Sequence, residues 1–414
     1  MSKKAFIIFI VLLLVIMGAV GWYFFKQSEA TPNTVGETTE ESSDLFPFGK
    51  KPTETTTGSL VTEPVNEVST STIDLGSEFA DVLPRLRQIS MAPTAGAVAW
   101  NIGSTTIFRY IDRATGHIYE TTSESLDVKK ISNTTIPKIY EALWTNDGSK
   151  LLIRYIKDNS TVIRTFYAKI ATTTKPEQAI EGIFLADGIK EISISGNKIF
   201  YMSENTSGSN GVLANIDGSN KNSVFSSSFS DWRSSLSSQT TAVLFSKPSN
   251  LSLGSAYYLN TTNSSYFKIP LDLNGTVAKG NSDNSRILVS AIQNNGLVTM
   301  VFDVKKSTLE NLGVQTIADK CVWSLKDKNI VFCAVPQFLP NGSYPDDWYK
   351  GKISFNDNLW RIDVVSGETE NIFDPELETG ISMDMVKLSL NKEETVLLFT
   401  NKKDMTVWSY RLVE

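Results

Sequence analysis

The sequence predicts an all-β fold: a seven-bladed β-propeller preceded by one N-terminal transmembrane helix and a disordered linker. Three observations support this prediction. An uncharged apolar run lies close to the N-terminus, a segment rich in Thr, Glu, Ser and Pro follows it, and a strand pattern then recurs with a spacing typical of propeller blades. These features divide the 414 residues into an anchor at 1–26, a linker at 27–81 and a propeller at 82–414.

The apolar run Ala5–Phe25 predicts a membrane anchor. Its 21 residues contain no charge, and at about 1.5 Å per helical residue they span about 30 Å, the thickness of a bilayer's hydrocarbon core. Lys3 and Lys4 precede it, which favours a cytoplasmic N-terminus with the remaining chain outside. We therefore expect a single-pass protein of the cytoplasmic membrane, with the bilayer as a partner. Cleavage as a secretory signal is the alternative, and small residues at 17–21 leave it open.

The next segment, 27–81, predicts a disordered stalk. It is dominated by Thr, Glu, Ser and Pro, and it carries eleven acidic side chains against Lys50 and Lys51. Such a composition offers too little apolar surface to offset the entropy lost on ordering. The segment has a net charge of −9, and with the three lysines of residues 1–26 it accounts for the total of −6, so that residues 82–414 are close to neutral. A neutral domain lacks the basic face that binds phosphate backbones, and we expect no nucleic-acid partner.

From about residue 84 one unit recurs, in which an apolar residue, a polar turn and a strongly apolar strand follow one another. A repeat of about 40–45 residues with four strands is the signature of a β-propeller. The copies lie at 142–155, 192–203, 234–246, 279–291, 321–335 and 386–400, with a divergent first copy at 90–101. Equivalent strands start near Val98, Leu151, Ile199, Val243, Ile287, Ile330 and Val396, at intervals of 53, 48, 44, 44, 43 and 66 residues.

The two ends of the propeller segment are predicted to close the ring. The last copy ends with a third strand at 406–414 and has no fourth strand after it, while residues 85–90 form a strand that belongs to no blade. Pairing the two would complete the seventh blade and remove an exposed edge.

The turns WTNDGSKL (144–151) and WSLKDKNIVF (323–332) resemble the W-S-P-D-G-K-x-I hairpin of TolB-like and WD40-like propeller repeats. The sequence departs from that pattern at 194–199 and 237–243, where the Asp-Gly turn is missing. The anchor, the linker and the segments 109–120 and 344–360 are similar to those of membrane-anchored bacterial envelope propellers. The resemblance implies an architecture and no particular activity, because propellers host many unrelated functions.

The sequence offers little catalytic chemistry. His117 is the only histidine, so His-based metal clusters are excluded and a Ser-His-acid triad has a single candidate base. We interpret His117 as a turn residue, expect no cofactor and no bound metal, and predict that the protein is not an enzyme.

Cys321 and Cys333 are a candidate disulfide. If the intervening turn centres on Asp327, the two cysteines face each other across a hairpin. Directly opposed residues lie about 4.5–5.5 Å apart, which is close enough for a disulfide. Two small buried thiols are the alternative, and the sequence does not decide between them.

The interval of 66 residues marks an insertion at 336–355, which we predict to contact a partner. Its candidate residues combine large aromatic side chains with two adjacent acids, which more often cap a turn than bind a cation. The alternative is a loop folded over the channel with its aromatic side chains buried. The candidates are Phe338, Tyr344, Asp346, Asp347, Trp348 and Tyr349.

These features favour a membrane-tethered extracytoplasmic propeller that acts as a scaffold for an envelope protein or glycan. The alternative is a glycan-processing enzyme with catalytic carboxylates in the propeller channel. That reading needs two acids about 5–9.5 Å apart over a sugar-sized cleft, a spacing that the sequence does not reveal.

Overall fold

The computed structural model describes residues 83–157, 160–170 and 180–412. The predicted anchor at 1–26 and the predicted linker at 27–81 lie outside the described residues, so both stay predictions. Among the residues described, no helix has the length and apolar character needed to cross a bilayer.

The described chain folds into seven four-stranded antiparallel sheets, which are the seven predicted blades. Their strands are short runs rich in β-branched and aromatic residues, as expected for a pleated and half-buried surface. In chain order they are β1 (Leu86–Gln88), β2 (Thr94–Ile102), β3 (Thr105–Asp112), β4 (Ile118–Thr122), β5 (Lys129–Ser132), β6 (Ile139–Trp144), β7 (Lys150–Ile156), β8 (Ile163–Lys169), β9 (Glu181–Phe184), β10 (Ile189–Ser195), β11 (Lys198–Asn205), β12 (Gly208–Asn215), β13 (Asn222–Ser227), β14 (Trp232–Ser238), β15 (Thr241–Ser246), β16 (Ala256–Asn260), β17 (Tyr266–Lys268), β18 (Asn274–Gly280), β19 (Arg286–Gln293), β20 (Gly296–Asp303), β21 (Thr308–Asn311), β22 (Cys321–Trp323), β23 (Ile330–Pro336), β24 (Asp357–Asp363), β25 (Thr369–Phe373), β26 (Met385–Leu390), β27 (Val396–Asn401) and β28 (Val407–Arg411).

Blades 1 to 6 each contain four consecutive strands, from β2–β5 in blade 1 to β22–β25 in blade 6. Blade 7 has the order β1-β28-β27-β26. The first strands of neighbouring blades touch one another, for example β2 with β6 and β10 with β14, so these strands line the centre of the ring.

Three short helices lie in the connections that the structure describes. A 3-10 turn (Ala318–Lys320) precedes β22, α1 (Asp346–Tyr349) lies in the insertion, and α2 (Pro375–Thr379) precedes β26. The bounds of α2 follow from its sequence: the Asp374 side chain accepts a hydrogen bond from the Leu377 amide at 3.0 Å, and Gly380 ends the helix at φ 72°.

The second strands of the blades form much of the core. The apolar positions at which the repeat predicts a strand to start are buried, and each such side chain contributes about 1.5–3 kcal/mol relative to an exposed one. These residues are Leu151, Ile199, Val243, Ile287, Ile330 and Val396.

The predicted position of the first copy of the repeat is wrong by one strand. Val98 lies on β2, the first strand of blade 1, and Ile107 on β3 occupies the position equivalent to Leu151, because Trp100 pairs with Ile107 as Trp144 pairs with Leu151. The interval from Ile107 to Leu151 is 44 residues, so the predicted 53 is wrong. The physical reason is that β2 is buried almost as fully as a second strand, and apolar character does not distinguish the two.

The predicted closure of the ring is confirmed. Strand β1 pairs antiparallel with β28, with Leu86 opposite Tyr410 and Gln88 opposite Trp408. Leu86 is buried in the same apolar cluster as Tyr410 and Trp408. The N-terminal strand is therefore the outer strand of the last blade.

Arg87 connects this closing strand to the next blade. Its Nη1 donates to the Thr122 carbonyl at 2.6 Å, and its Nη2 donates to Thr121 Oγ1 at 3.1 Å and to the Ser125 carbonyl at 2.7 Å. Thr121 and Thr122 end β4 of blade 1, so one buried guanidinium ties blade 7 to blade 1. The closing strand thus completes one blade and fixes its neighbour.

We predict that deleting residues 84–91 destabilises the whole ring and that Arg87→Ala alone lowers the unfolding free energy by about 2–4 kcal/mol, because it leaves buried acceptors unpaired. Urea unfolding followed by tryptophan fluorescence measures both effects. The control is Lys129→Ala, which removes an exposed cation from blade 1. A deletion variant as stable as the parent would contradict the closure.

Candidate functional site

The centre of the ring contains a water-accessible cavity of about 630 Å³, here called the channel-mouth cavity. Its walls combine the inner strands of blades 3, 4 and 5 with the insertion of blade 6. The charged and hydroxyl-bearing side chains around it are Glu191, Ser193, Arg233, Ser234, Ser235, Lys247, Lys279, Asp319, Asp346, Tyr349 and Lys350. A second cavity of about 400 Å³ shares Ser193 and Lys279 with it, and its walls are formed mainly by blades 1, 2, 3 and 7.

An ion pair on two neighbouring inner strands crosses the wall of the channel-mouth cavity. Arg233 Nη1 on β14 donates to Glu191 Oε2 on β10 at 2.7 Å. Burial raises the pKa of the Glu191 carboxyl to about 7, with Arg233 opposing the shift and the nearby Glu141 adding to it. A carboxyl with this pKa is partly protonated at neutral pH.

A second ion pair lies one blade earlier in the ring. Arg154 is almost completely buried, and its Nη1 contacts Glu141 Oε2 and the Tyr140 hydroxyl, both at 2.8 Å. Its Nη2 donates to the carbonyls of Ile189 and Lys190 at 3.1 and 2.9 Å, which ties blade 2 to the start of blade 3. Glu141 and Glu191 thus occupy adjacent inner strands, each with its own arginine.

Lys279 supplies a further cation between the two cavities. Its Nζ donates to the Cys321 carbonyl at 2.6 Å, and burial lowers the pKa of its ammonium group, with Asp319 opposing the shift. The channel thus presents acids and bases together.

The insertion is the connection between the second and third strands of blade 6. It reaches across blade 5 to blade 4, where Asp346 accepts hydrogen bonds from the Asn250 amide at 2.6 Å and from Ser249 Oγ at 3.3 Å. Asp347 accepts from the Ser343 amide at 2.9 Å and so closes a turn within the insertion. Both predicted acids hold the loop in place. Across the described part of the chain, no cluster of three or more His, Cys, Asp or Glu side chains is placed to hold a metal ion.

The four predicted aromatic residues of the insertion face two different ways. Trp348 and Tyr344 are buried, and the Trp348 ring stacks on Phe355 with centroids 5.9 Å apart and planes 9° apart. Phe338 and Tyr349 remain 67% and 42% exposed. The insertion therefore packs inward through one pair, while the other pair stays partly accessible to water.

Tyr349 is the aromatic side chain that the insertion contributes to the cavity. Its hydroxyl donates to Asp319 Oδ2 at 2.5 Å. Loss of hydration inside the channel, together with the Asp319 carboxylate, raises the pKa of the Tyr349 hydroxyl well above its usual value. The phenol is therefore a neutral donor at physiological pH, and its exposed surface faces the channel.

A buried charge cluster holds the base of the insertion. Lys320 is fully buried, and its Nζ lies 2.8 Å from Asp357 Oδ2, 2.5 Å from Asp384 Oδ1 and 3.0 Å from the Met385 carbonyl. The Trp348 indole nitrogen donates to Asp384 Oδ2 at 3.0 Å. The cluster thus joins blade 6, the insertion and blade 7.

Sequence reasoning singled out neither this cluster nor the channel-mouth ion pair. The available signal was a lysine inside an apolar context, IADKCVW at 317–323, because a lysine is almost never fully buried without partners. The partners themselves lie 37 and 64 residues away, and no local pattern connects them.

The two cysteines occupy the positions predicted for them. Cys321 on β22 pairs directly with Cys333 on β23, and their sulfur atoms lie at bonding distance, 2.12 Å apart. His117 lies in the turn before β4, with its Nε2 3.4 Å from Thr135 Oγ1.

Known structures resemble this chain in fold only. An oligogalacturonate lyase from Vibrio parahaemolyticus aligns over 80% of this chain and 93% of its own with 10% identity and a TM-score of 0.53. The propeller domain of the Trilobed protease from Pyrococcus furiosus covers 78% of this chain and 99% of its own, with 10% identity and a TM-score of 0.48.

TolB from Acinetobacter baumannii is a further structural neighbour, at 11% identity and a TM-score of 0.41, covering 64% of this chain and 62% of its own. No protein-family model matches the sequence, and a search of curated proteins gives no match either. The seven four-stranded blades confirm the predicted propeller fold.

We predict that Cys321 and Cys333 form a disulfide in the protein as it is made in its host. Without reductant, an alkylating reagent should modify neither cysteine, and after reduction it should modify both, as read by intact mass. A Cys333→Ser variant, in which one thiol must be free, calibrates the labelling. Full alkylation of the unreduced protein would show that the thiols are separate.

Proposed function

We propose that this protein is a membrane-tethered extracytoplasmic propeller that binds a charged segment of an envelope protein or glycan in its channel-mouth cavity. The observation that carries the proposal is the cavity of about 630 Å³ itself, whose wall contains the Glu191–Arg233 pair and the phenol of Tyr349. Its volume falls within the range of about 300–1,000 Å³ that is typical of ligand sites.

The composition of the wall suits a ligand that carries both donors and acceptors. Arg233 and Lys247 offer donors, Glu191 and Asp319 offer acceptors, and Tyr349 offers an aromatic surface. Aromatic and arginine side chains dominate the energetics of many binding sites because they bury a large area and make directional contacts. A binding role therefore explains why charged donors, charged acceptors and an aromatic ring lie together in this cavity.

The predicted anchor at 5–25 and the candidate disulfide both support an extracytoplasmic location. A disulfide is stable in an oxidising compartment, and the positive-inside tendency of Lys3 and Lys4 favours a propeller on that side of the membrane. We propose that the acidic linker carries the propeller away from the membrane surface, since anionic lipids repel it.

A benzophenone amino acid at position 349 should photocrosslink the full-length protein to its envelope partner in intact cells. The same probe at position 126, on the exposed connection between β4 and β5, should give no matching product. Adding Arg233→Ala should weaken the product at 349 by about tenfold, the factor that corresponds to about 1.4 kcal/mol from one charge-assisted contact. Equal products from both positions, or no effect of Arg233→Ala, would contradict binding in the cavity.

A second candidate function, glycan processing, rests on Glu191. A carboxyl with a pKa of about 7 is suited to general acid–base chemistry at neutral pH, and Asp319 supplies a second acid in the same cavity. Oligogalacturonate, which one structural neighbour's name gives as its substrate, is a reasonable first probe for cleavage.

The raised pKa of Glu191 can be tested without knowing the substrate. From about pH 4.5 to 7 the folded protein keeps a proton that the unfolded chain has released, so the unfolding free energy should fall as the pH rises, by about 1–3 kcal/mol. Glu191→Gln should remove this loss, so that its stability relative to the parent increases between pH 5 and pH 8 in urea unfolding. Parallel pH profiles of stability for the parent and Glu191→Gln would rule out the raised pKa. In a separate assay, cleavage of oligogalacturonate by both proteins would rule out Glu191 as the catalytic acid.

A further inference from the structure

The buried cluster around Lys320 has the arrangement of a condensation site. The Nζ of Lys320 lies 2.8 Å from Asp357 Oδ2 and 2.5 Å from Asp384 Oδ1, and all three side chains are fully buried. The two carboxylates are not equivalent. Asp384 accepts hydrogen bonds at both oxygens, from Lys320, the Trp348 indole and the Phe355 amide, whereas Asp357 Oδ1 has no partner among the described residues.

We propose that Lys320 and Asp357 condense spontaneously to an intramolecular amide bond, with Asp384 as the group that transfers the proton. The bond would join the end of the 3-10 turn before β22 to the first residue of β24, across the base of the insertion.

The reaction balances without any added reagent. One proton moves from the Lys320 ammonium to Asp357, giving a neutral amine and a carboxylic acid protonated at Oδ1. The Nζ lone pair attacks Asp357 Cγ, and the π electrons of the Cγ–Oδ2 bond move onto Oδ2. Asp384 takes a proton from Nζ and returns it to Oδ1, the Cγ–Oδ1 bond breaks, and the Cγ=Oδ2 bond re-forms. An ammonium and a carboxylate have become one amide and one water.

The hydrogen bonds decide which carboxylate reacts and which oxygen leaves. The Met385 amide donates to Asp357 Oδ2 at 2.6 Å, which is where negative charge develops during attack. Oδ2 is therefore retained as the amide oxygen, and the unpartnered Oδ1 is the oxygen free to depart. In the product the amide N–H donates to Asp384, so the reaction removes a buried polar atom that lacks a partner.

The surroundings hold the two reacting groups together away from solvent. The rings of Trp348 and Phe355 each lie 5.1 Å from Lys320 Nζ, and the side chains of Lys320, Asp357 and Asp384 are fully buried. Burial raises the pKa of Asp357 to about 6; Lys320 opposes the shift and Asp384 adds to it. Because the nitrogen and the carboxyl are already in fixed contact, the reaction needs no bimolecular encounter.

Peptide mapping of the full-length protein tests the proposal. After reduction and alkylation, the intact mass should be lower than that of the linear chain by one water. Trypsin should fail to cleave after Lys320, and residues 307–326 should appear joined to residues 353–361 in one branched peptide. A chain of full linear mass that yields two separate peptides would overturn the proposal and leave an ordinary buried ion pair.

Two variants assign the roles within the cluster. Asp384→Asn keeps both reacting groups and removes the proton carrier, so the branched peptide should be lost or strongly reduced. Lys198→Arg alters a half-buried lysine of blade 3, whose Nζ donates to Asn215 Oδ1 at 2.8 Å, and should leave the branched peptide intact. A branched peptide of undiminished yield in Asp384→Asn would overturn the assigned role of Asp384. The wild-type map alone decides whether the bond exists, even if a variant fails to fold.

Discussion

The pairing of β1 with β28 is the constraint on which the rest of the structure depends. Six blades are built from continuous chain, and the seventh exists only because the N-terminal strand adds to the last three strands. Leu86 buries this strand in blade 7 and Arg87 ties it to blade 1. Because the cavities are spaces between inner strands of different blades, their shape is set by closure. A ring left open would present a free sheet edge and would no longer hold Glu191 and Arg233 in their present wall.

Within the closed ring, buried charges decide where the insertion lies. Removing one partner from a buried ion pair typically costs about 3–5 kcal/mol, so Lys320, Asp357 and Asp384 fix one another strongly. Trp348 is bound to the same cluster through its indole nitrogen, and Tyr349 is the next residue along the chain. The buried charge cluster therefore fixes the position of the Tyr349 phenol in the channel-mouth cavity, although Lys320, Asp357 and Asp384 do not themselves line that cavity. Helix α1 thus connects the buried charge cluster, through Trp348, to the candidate site, through Tyr349.

The parts of this architecture that the sequence predicts are those encoded by local patterns. The repeat gives the number of blades, the unpaired terminal strands give the closure, and a symmetric turn about Asp327 gives the register of Cys321 and Cys333. The site is different because its members come from separate blades. Arg233 and Glu191 are 42 residues apart, about one repeat, but the repeat does not show that these two side chains pair. Composition also does not predict which aromatic side chains of the insertion are buried, since Trp348 is buried and the adjacent Tyr349 is exposed.

In blade 6, the buried charge contacts and the cysteine pair lie at the base of the insertion, where the blade lacks a tight hairpin turn. A tight hairpin turn between its second and third strands is replaced by the insertion, and a longer loop costs more entropy to close. The strands nevertheless pair up to the base of the insertion, with Pro336 opposite Asp357. Asp357 contacts Lys320, which immediately precedes Cys321, so charge contacts and the Cys321–Cys333 pair act on the same few residues. A long loop with so firm a base behaves as a rigid part of the channel wall, and rigid walls are what a selective binding site requires.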